Sequence, residues 1–275
     1  MITFKTFINE AADNILRKPS YNSIQVKEAI KLLNARCKDA LWMLTENKPL
    51  YRGDDEAEKP VHKTGFATVD PSKTVRKSQN TKNYYTLIFD NHPDMKQYPK
   101  RSRSFIATTE IENASGYGDN AFVLIPYDGV KIGVVAAGDM WSHRISLFDD
   151  EFGDRIEAVN SSFSRIPELK LATSWKDWEQ FDKKLKHNDI NAIKNFENAF
   201  GGFEDEEAIA FKRYYNGFLK EVFRAYSPYV LGFTCQTTKT LNHNLDSEVW
   251  VGGPCMLISE SMWKKMIEAL NEESK

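Results

Sequence analysis

The most apolar stretch of the chain, residues 121 to 138, is interrupted by Pro126, Asp128, Gly129 and Lys131. A bilayer-spanning helix needs about 20 almost unbroken apolar residues, so this stretch cannot be one. It reads instead as two short strands, Ala121–Pro126 and Val130–Val135. Similar short runs recur at Pro49–Gly53, Phe66–Val69, Phe105–Thr109, Tyr229–Cys235, Glu248–Val251 and Cys255–Ile258. Such runs, bounded by turn formers, are the pattern of strands.

Other segments carry a helical period. From Ser23 to Leu44, the residues Ile30, Leu33, Cys37, Leu41 and Leu44 recur at three- and four-residue steps, with Ser23 as a cap. A shorter helix is expected around Phe7–Leu16. Thr81–Asp90 suits either a helix or a strand. Asp149 to Tyr226 turns helical again. There Ser174 opens SWKDWEQFDKKLK, Asp189 opens DINAIKNFENAF, and Ile209, Tyr214, Phe218, Val222 and Phe223 mark a further helix. Gly201–Glu207 is an acidic stop and start between helices. Trp175, Trp178, Phe181, Phe196, Phe200 and Phe203 are expected to form a packing layer against the sheet, ahead of any partner-binding role. Ser259 caps a last helix through Leu270. Helices and strands come in separate groups without regular βαβ alternation, which argues for an α+β fold. No GxGxxG or GxxxxGK[ST] run supports dinucleotide-binding or P-loop architecture.

Among 275 residues, 37 Lys and Arg against 39 Asp and Glu leave a net charge of −2, which excludes attachment to nucleic acid by bulk positive charge. Hydrophobic residues are 41% of the chain and aromatic residues 12%, enough to build a core and too many for a disordered tail. Cys37, Cys235 and Cys255 are far apart and odd in number, the pattern of structural thiols in a reducing compartment. The five histidines are scattered, and no metal site is expected. The first 18 residues lack the long apolar core of a secretory signal.

Three short elements place polar groups on apolar strands: Leu50-Tyr51-Arg52-Gly53, Arg103-Ser104-Phe105-Ile106-Ala107-Thr108-Thr109 and Asp246-Ser247-Glu248-Val249-Trp250. Singly, each has an ordinary explanation: a surface arginine, β-branched strand residues, a solvent-facing carboxylate. In this order they resemble the signature of the arginine–serine–glutamate class of mono-ADP-ribosyltransferases, and the surrounding sequence resembles the Mod- and Alt-type enzymes of T-even-like bacteriophages. The resemblance runs from about Pro49 onward. It implies a split β-sheet core with a helical insertion at roughly 160–226, preceded by an N-terminal helical segment over residues 1–48. Two positions depart from the pattern: Ala107 stands where the family has serine, and Asp246 where it has Glu or Gln.

The resemblance implies NAD as co-substrate, with no metal. Glu248 is then the carboxylate that stabilises the cationic ribose, as in glycoside hydrolysis. Arg52, followed by Gly53, binds phosphate. Ser104, Thr108 and Thr109 supply hydroxyls to the ribose and to Glu248. Asp246, two residues before Glu248 and so on the same strand face, positions or deprotonates the acceptor. Residues 236–245 are the acceptor loop; His243 there reads as solvated. A bacterial protein is the expected acceptor, in the host cytoplasm. RNA or DNA is the alternative, which the basic run at Lys100, Arg101 and Arg103 suits. That run also reads as a solvated loop or a phosphate contact to NAD. A non-catalytic head or binding protein that keeps the fold is the reading of another class.

MITFKTFINEA resembles the capsid-targeting leaders of T-even-like phage head proteins, with Ile8-Asn9-Glu10 as the processing site. That implies packaging in the virion head and cleavage after Glu10. Phe4, Phe7 and Ile8 equally suit the apolar face of a first helix.

Overall fold

The computed structural model describes residues 21–53, 61, 63–76, 83–114, 120–135, 163–170, 172–200, 217–242 and 247–273. The leader and the Phe7–Leu16 helix lie outside them, as do Asp246, His243, Phe203 and the acidic segment 201–207. The main elements in chain order are α1 (Ser23–Arg36), α2 (Leu41–Thr45), β1 (Leu50–Gly53), β2 (Phe66–Val69), α3 (Tyr84–Asn91), β3 (Phe105–Thr108), β4 (Ala121–Pro126) and β5 (Ile132–Val135). They continue with α4 (Trp175–Lys186), α5 (Ile190–Phe200), α6 (Phe218–Ala225), β6 (Phe233–Gln236), β7 (Glu248–Val251), β8 (Cys255–Ser259) and α7 (Glu260–Glu273). The fold is α+β, with antiparallel strand pairing. Among the described residues, no helix is long and apolar enough to cross a membrane.

The chain forms two compact units, each discontinuous in sequence. The first comprises residues 1–70, 107–130 and 254–275. Its strands run in the order β2-β8-β4-β1, all antiparallel, and Thr108 of β3 pairs with Tyr51 beyond β1. β8 reads CMLIS and is buried along its whole length, because strands flank it on both edges and α7 lies against it. α1 packs on α7 and buries Val26, Ala29 and Leu33.

α1 differs from its sequence expectation at both ends. Asn22, not Ser23, is the cap: its side chain accepts the Gln25 N–H at 3.0 Å, and Gln25 returns the bond to the Asn22 N–H at 2.9 Å. The helix stops at Arg36 rather than running to Leu44. Asp128 holds the break, its N–H donating to the Arg36 carbonyl at 2.8 Å and its Oδ1 accepting the Asp39 N–H at 2.8 Å. The apolar period continues through the break into α2, so periodicity alone could not show it.

The second unit comprises residues 71–106 and 131–253. Its strands run β7-β5-β6, antiparallel. Within the ambiguous segment, Tyr84–Asn91 form helix α3, whose Phe89 lies edge-on to Trp250 of β7, with centroids 5.3 Å apart. α4, α5 and α6 bury Trp178, Phe181, Phe196 and Phe218 against one another and against Phe163. Such T-shaped aromatic contacts contribute beyond simple area burial. α4 follows Ser174, whose N–H and hydroxyl donate to Asp177 Oδ2 at 2.9 and 3.0 Å, and Asp189 Oδ1 caps α5 through the Asn191 and Ala192 N–H groups. β6 starts at Phe233, four residues later than expected. The preceding residues coil through a turn that ends at Gly232, with φ +64°.

Candidate functional site

Glu248 opens β7, opposite Val135 of β5. Every residue of this strand is buried, and Glu248 is 2% exposed. The solvent-facing position that a strand carboxylate usually takes is thus not the one observed. A buried carboxylate needs charge-assisted partners. Glu248 has two on Oε1: Arg101 Nη1 donates at 3.2 Å and Trp250 Nε1 at 2.6 Å. Trp250 stands two residues along the same strand, so both side chains lie on one face. The Arg101 guanidinium also lies over the indole ring, 5.0 Å from its centroid. Arginine on an aromatic face gains a cation–π attraction in addition to the ion pair.

Local chemistry explains how Arg101 reaches this position. Pro99 packs where Gly133 and Gly252 have no side chain; a Cβ on Gly252 would come within 2.3 Å of the Pro99 Cβ. The following residues form a tight 3-10 turn, Arg101–Arg103. Asp90 Oδ1 accepts the Ser102 N–H at 3.2 Å, and Ser102's carbonyl accepts the Arg76 N–H at 2.8 Å. Lys100 donates to the Asp90 carbonyl, and Arg103 Nη1 donates to the Ser72 carbonyl at 2.7 Å. The basic run is therefore not uniformly solvated: Lys100 and Arg103 are exposed, while the Arg101 side chain is only 15% exposed.

The remaining expected residues are distributed as follows. Ser104 belongs to the second unit and is buried, but its hydroxyl proton goes to the Lys100 carbonyl at 2.7 Å. A hydroxyl has one proton, so this bond leaves Ser104 none to donate to Glu248. Arg52, Gly53, Thr108 and Thr109 belong to the first unit. Arg52 is half-buried on β1 opposite Phe122, and Gly53 is buried opposite Ala121. Thr108 ends β3 with its Oγ1 accepting the Glu110 N–H at 3.2 Å, and Thr109 is buried beside it. Asp246 lies outside the described residues. Among the described residues, no group of His, Cys, Asp or Glu side chains is placed to hold a metal ion.

Arg101 and Trp250 are the residues that motif reasoning missed as partners of Glu248. The local signal was the arginine in a short, proline-led turn, and nothing near it in sequence names a carboxylate that lies on a distant strand. Comparison with protein-family models, with curated proteins and with solved structures returned no match.

Proposed function

We propose that the chain is an NAD-dependent mono-ADP-ribosyltransferase that modifies a bacterial macromolecule, with protein as the acceptor class. The observation that carries this reading is Glu248: a buried carboxylate on an apolar strand, held by two donors on one oxygen. A carboxylate fixed in this way is suited to oppose a cation that develops beside it, since preorganised charge needs no rearrangement during reaction. The motif order Arg52, Thr108-Thr109, Glu248 supports the same chemistry, as does the α+β fold with its antiparallel strands.

In this reading the bond between nicotinamide and the ribose carbon breaks, and nicotinamide leaves with the electron pair. Glu248 stabilises the oxocarbenium-like ribose. The acceptor atom forms the new bond to that carbon and gives up its proton, with Asp246 as the candidate to receive it. Arg52 has the planar, always-charged group suited to a phosphate of the dinucleotide.

The second reading is a non-catalytic binding protein with the same fold. Ala107 and the double occupation of Glu248 Oε1 favour it. NAD labelled on its adenylate moiety, incubated with the chain and a bacterial lysate, separates the readings. Label on protein is the expected result, and it disappears with Glu248→Gln. Label on RNA or DNA moves the acceptor class. Absence of both transfer and nicotinamide release leaves the binding protein.

A further inference from the structure

We infer that Arg101 is the positioning residue for Glu248, holding the carboxylate in one orientation. This inference rests on the transferase reading above. Three observations converge on it. The guanidinium reaches the carboxylate from 147 positions away in sequence, and it does so from a backbone held at the Arg101–Ser102 peptide. The Ser102 N–H is bound to Asp90, and the Arg101 carbonyl accepts Arg76 Nε at 3.4 Å. Trp250 then confines the pair, donating to the same oxygen and offering its ring face to the cation. The Ser104 hydroxyl, just after this turn, donates to the Lys100 carbonyl and not to Glu248.

Two donors on one carboxylate oxygen fix both the position of the group and its rotation about the Cγ–Cδ bond. A serine hydroxyl would give one such bond without charge. A guanidinium gives a charge-assisted bond, shorter in reach and stronger than a neutral one. The orientation comes from planarity, so a lysine, as a compact point charge on a flexible stem, should reproduce only part of it. Arg101 acts through Glu248, not on the dinucleotide, so its effect belongs on the turnover step and not on NAD binding.

The test is steady-state nicotinamide release from NAD in the presence of dialysed bacterial lysate, with the Glu248→Gln chain as blank. Arg101→Met is expected to lower kcat about 100-fold, with the KM for NAD within about threefold of wild type. Arg101→Lys should restore part of this, to about one tenth of wild-type kcat. A wild-type chain that releases no nicotinamide overturns the transferase reading and this inference with it. An active wild type with unchanged kcat in Arg101→Met overturns the inference alone, as does a raised KM at constant kcat. If circular dichroism shows Arg101→Met unfolded, Arg101→Lys decides: reduced kcat at constant KM supports positioning, and wild-type kcat rejects it.

Discussion

Trp250 donates its indole N–H to Glu248 Oε1 over 2.6 Å, although only one residue separates them on β7. Alternate residues on a strand share a face, so this bond is short-range and costs little chain entropy. Arg101 completes the group from a distant turn. The three side chains form a small polar unit inside an otherwise apolar neighbourhood that includes Phe89 and Phe233. The arrangement gives different expectations for different substitutions at position 248.

Glu248→Ala removes the acceptor and leaves the Arg101 charge in a nearly dry site. Breaking a buried ion pair from one side costs about 3–5 kcal/mol. Glu248→Gln also removes the charge but keeps an oxygen that accepts from both donors, so it should cost less than Glu248→Ala, by about 1 kcal/mol. Urea unfolding of the two variants checks this. Equal losses would mean that the neutral amide rescues nothing and that the charge alone carries the pair's contribution.

Gly65 has φ +87°, a left-handed conformation, and a Cβ there would come within 2.3 Å of Met262 Cε. Its carbonyl accepts the Ser259 N–H at 2.9 Å, so the backbone cannot easily relax. The methionine tip can move, but the conformational strain stays, at about 1–2 kcal/mol. Gly65→Ala should lower the thermal midpoint, while Gly129→Ala keeps the φ cost without any close contact. A Gly65→Ala midpoint above that of Gly129→Ala would contradict the packing described for α7.

The three thiols should differ sharply in reactivity. Cys235 is exposed, whereas Cys37 and Cys255 are buried. Burial also pushes all three thiols up from their ordinary range, Cys37 to about 12. Thiolate is the reactive form, so the buried pair is protected twice. Maleimide labelling of the native chain, read by mass spectrometry, should modify Cys235 alone. Rapid labelling of Cys37 without denaturant would contradict the packing around it.

Alkaline pH should weaken the first unit. Unfolded thiols titrate near about 8.5, but burial raises Cys37 first and Asp128 adds to the shift. Cys255 is raised by burial, then by Cys37 and Asp70. A raised folded value means that stability is intact below the unfolded titration and falls as pH climbs toward the folded one. The slope approaches about 1.4 kcal/mol per pH unit for each thiol. Thermal midpoints from pH 8 to 11 should therefore decline less steeply in Cys37→Ala than in wild type. Parallel declines would remove Cys37 from the alkaline sensitivity.

Much of the fold was legible because local pattern and final burial agree. β2, β4 and β7 match their apolar runs, and Ser259 receives the Met262 N–H of α7 at 3.3 Å, as its position suggested. The misreadings lie where a distant group decides the outcome. Asp128 ends α1 from beyond β4, a role that no period in residues 23–44 can express. At the site, Glu248 was legible as a polar group on a strand, but its partners were not. Five consecutive polar or charged residues in a loop usually mean solvent, and only tertiary packing separates Arg101 from its exposed neighbours.

β8 lies between β2 and β4, yet it is made long after both. During synthesis the first unit therefore has a gap through its middle until residues 254 onward leave the ribosome. The hydrogen-bonding edges of two earlier strands must wait, uncovered, for that segment. A chain stopped before Pro254 would leave them open for good, and open strand edges are what chaperones and proteases recognise and what drives self-association.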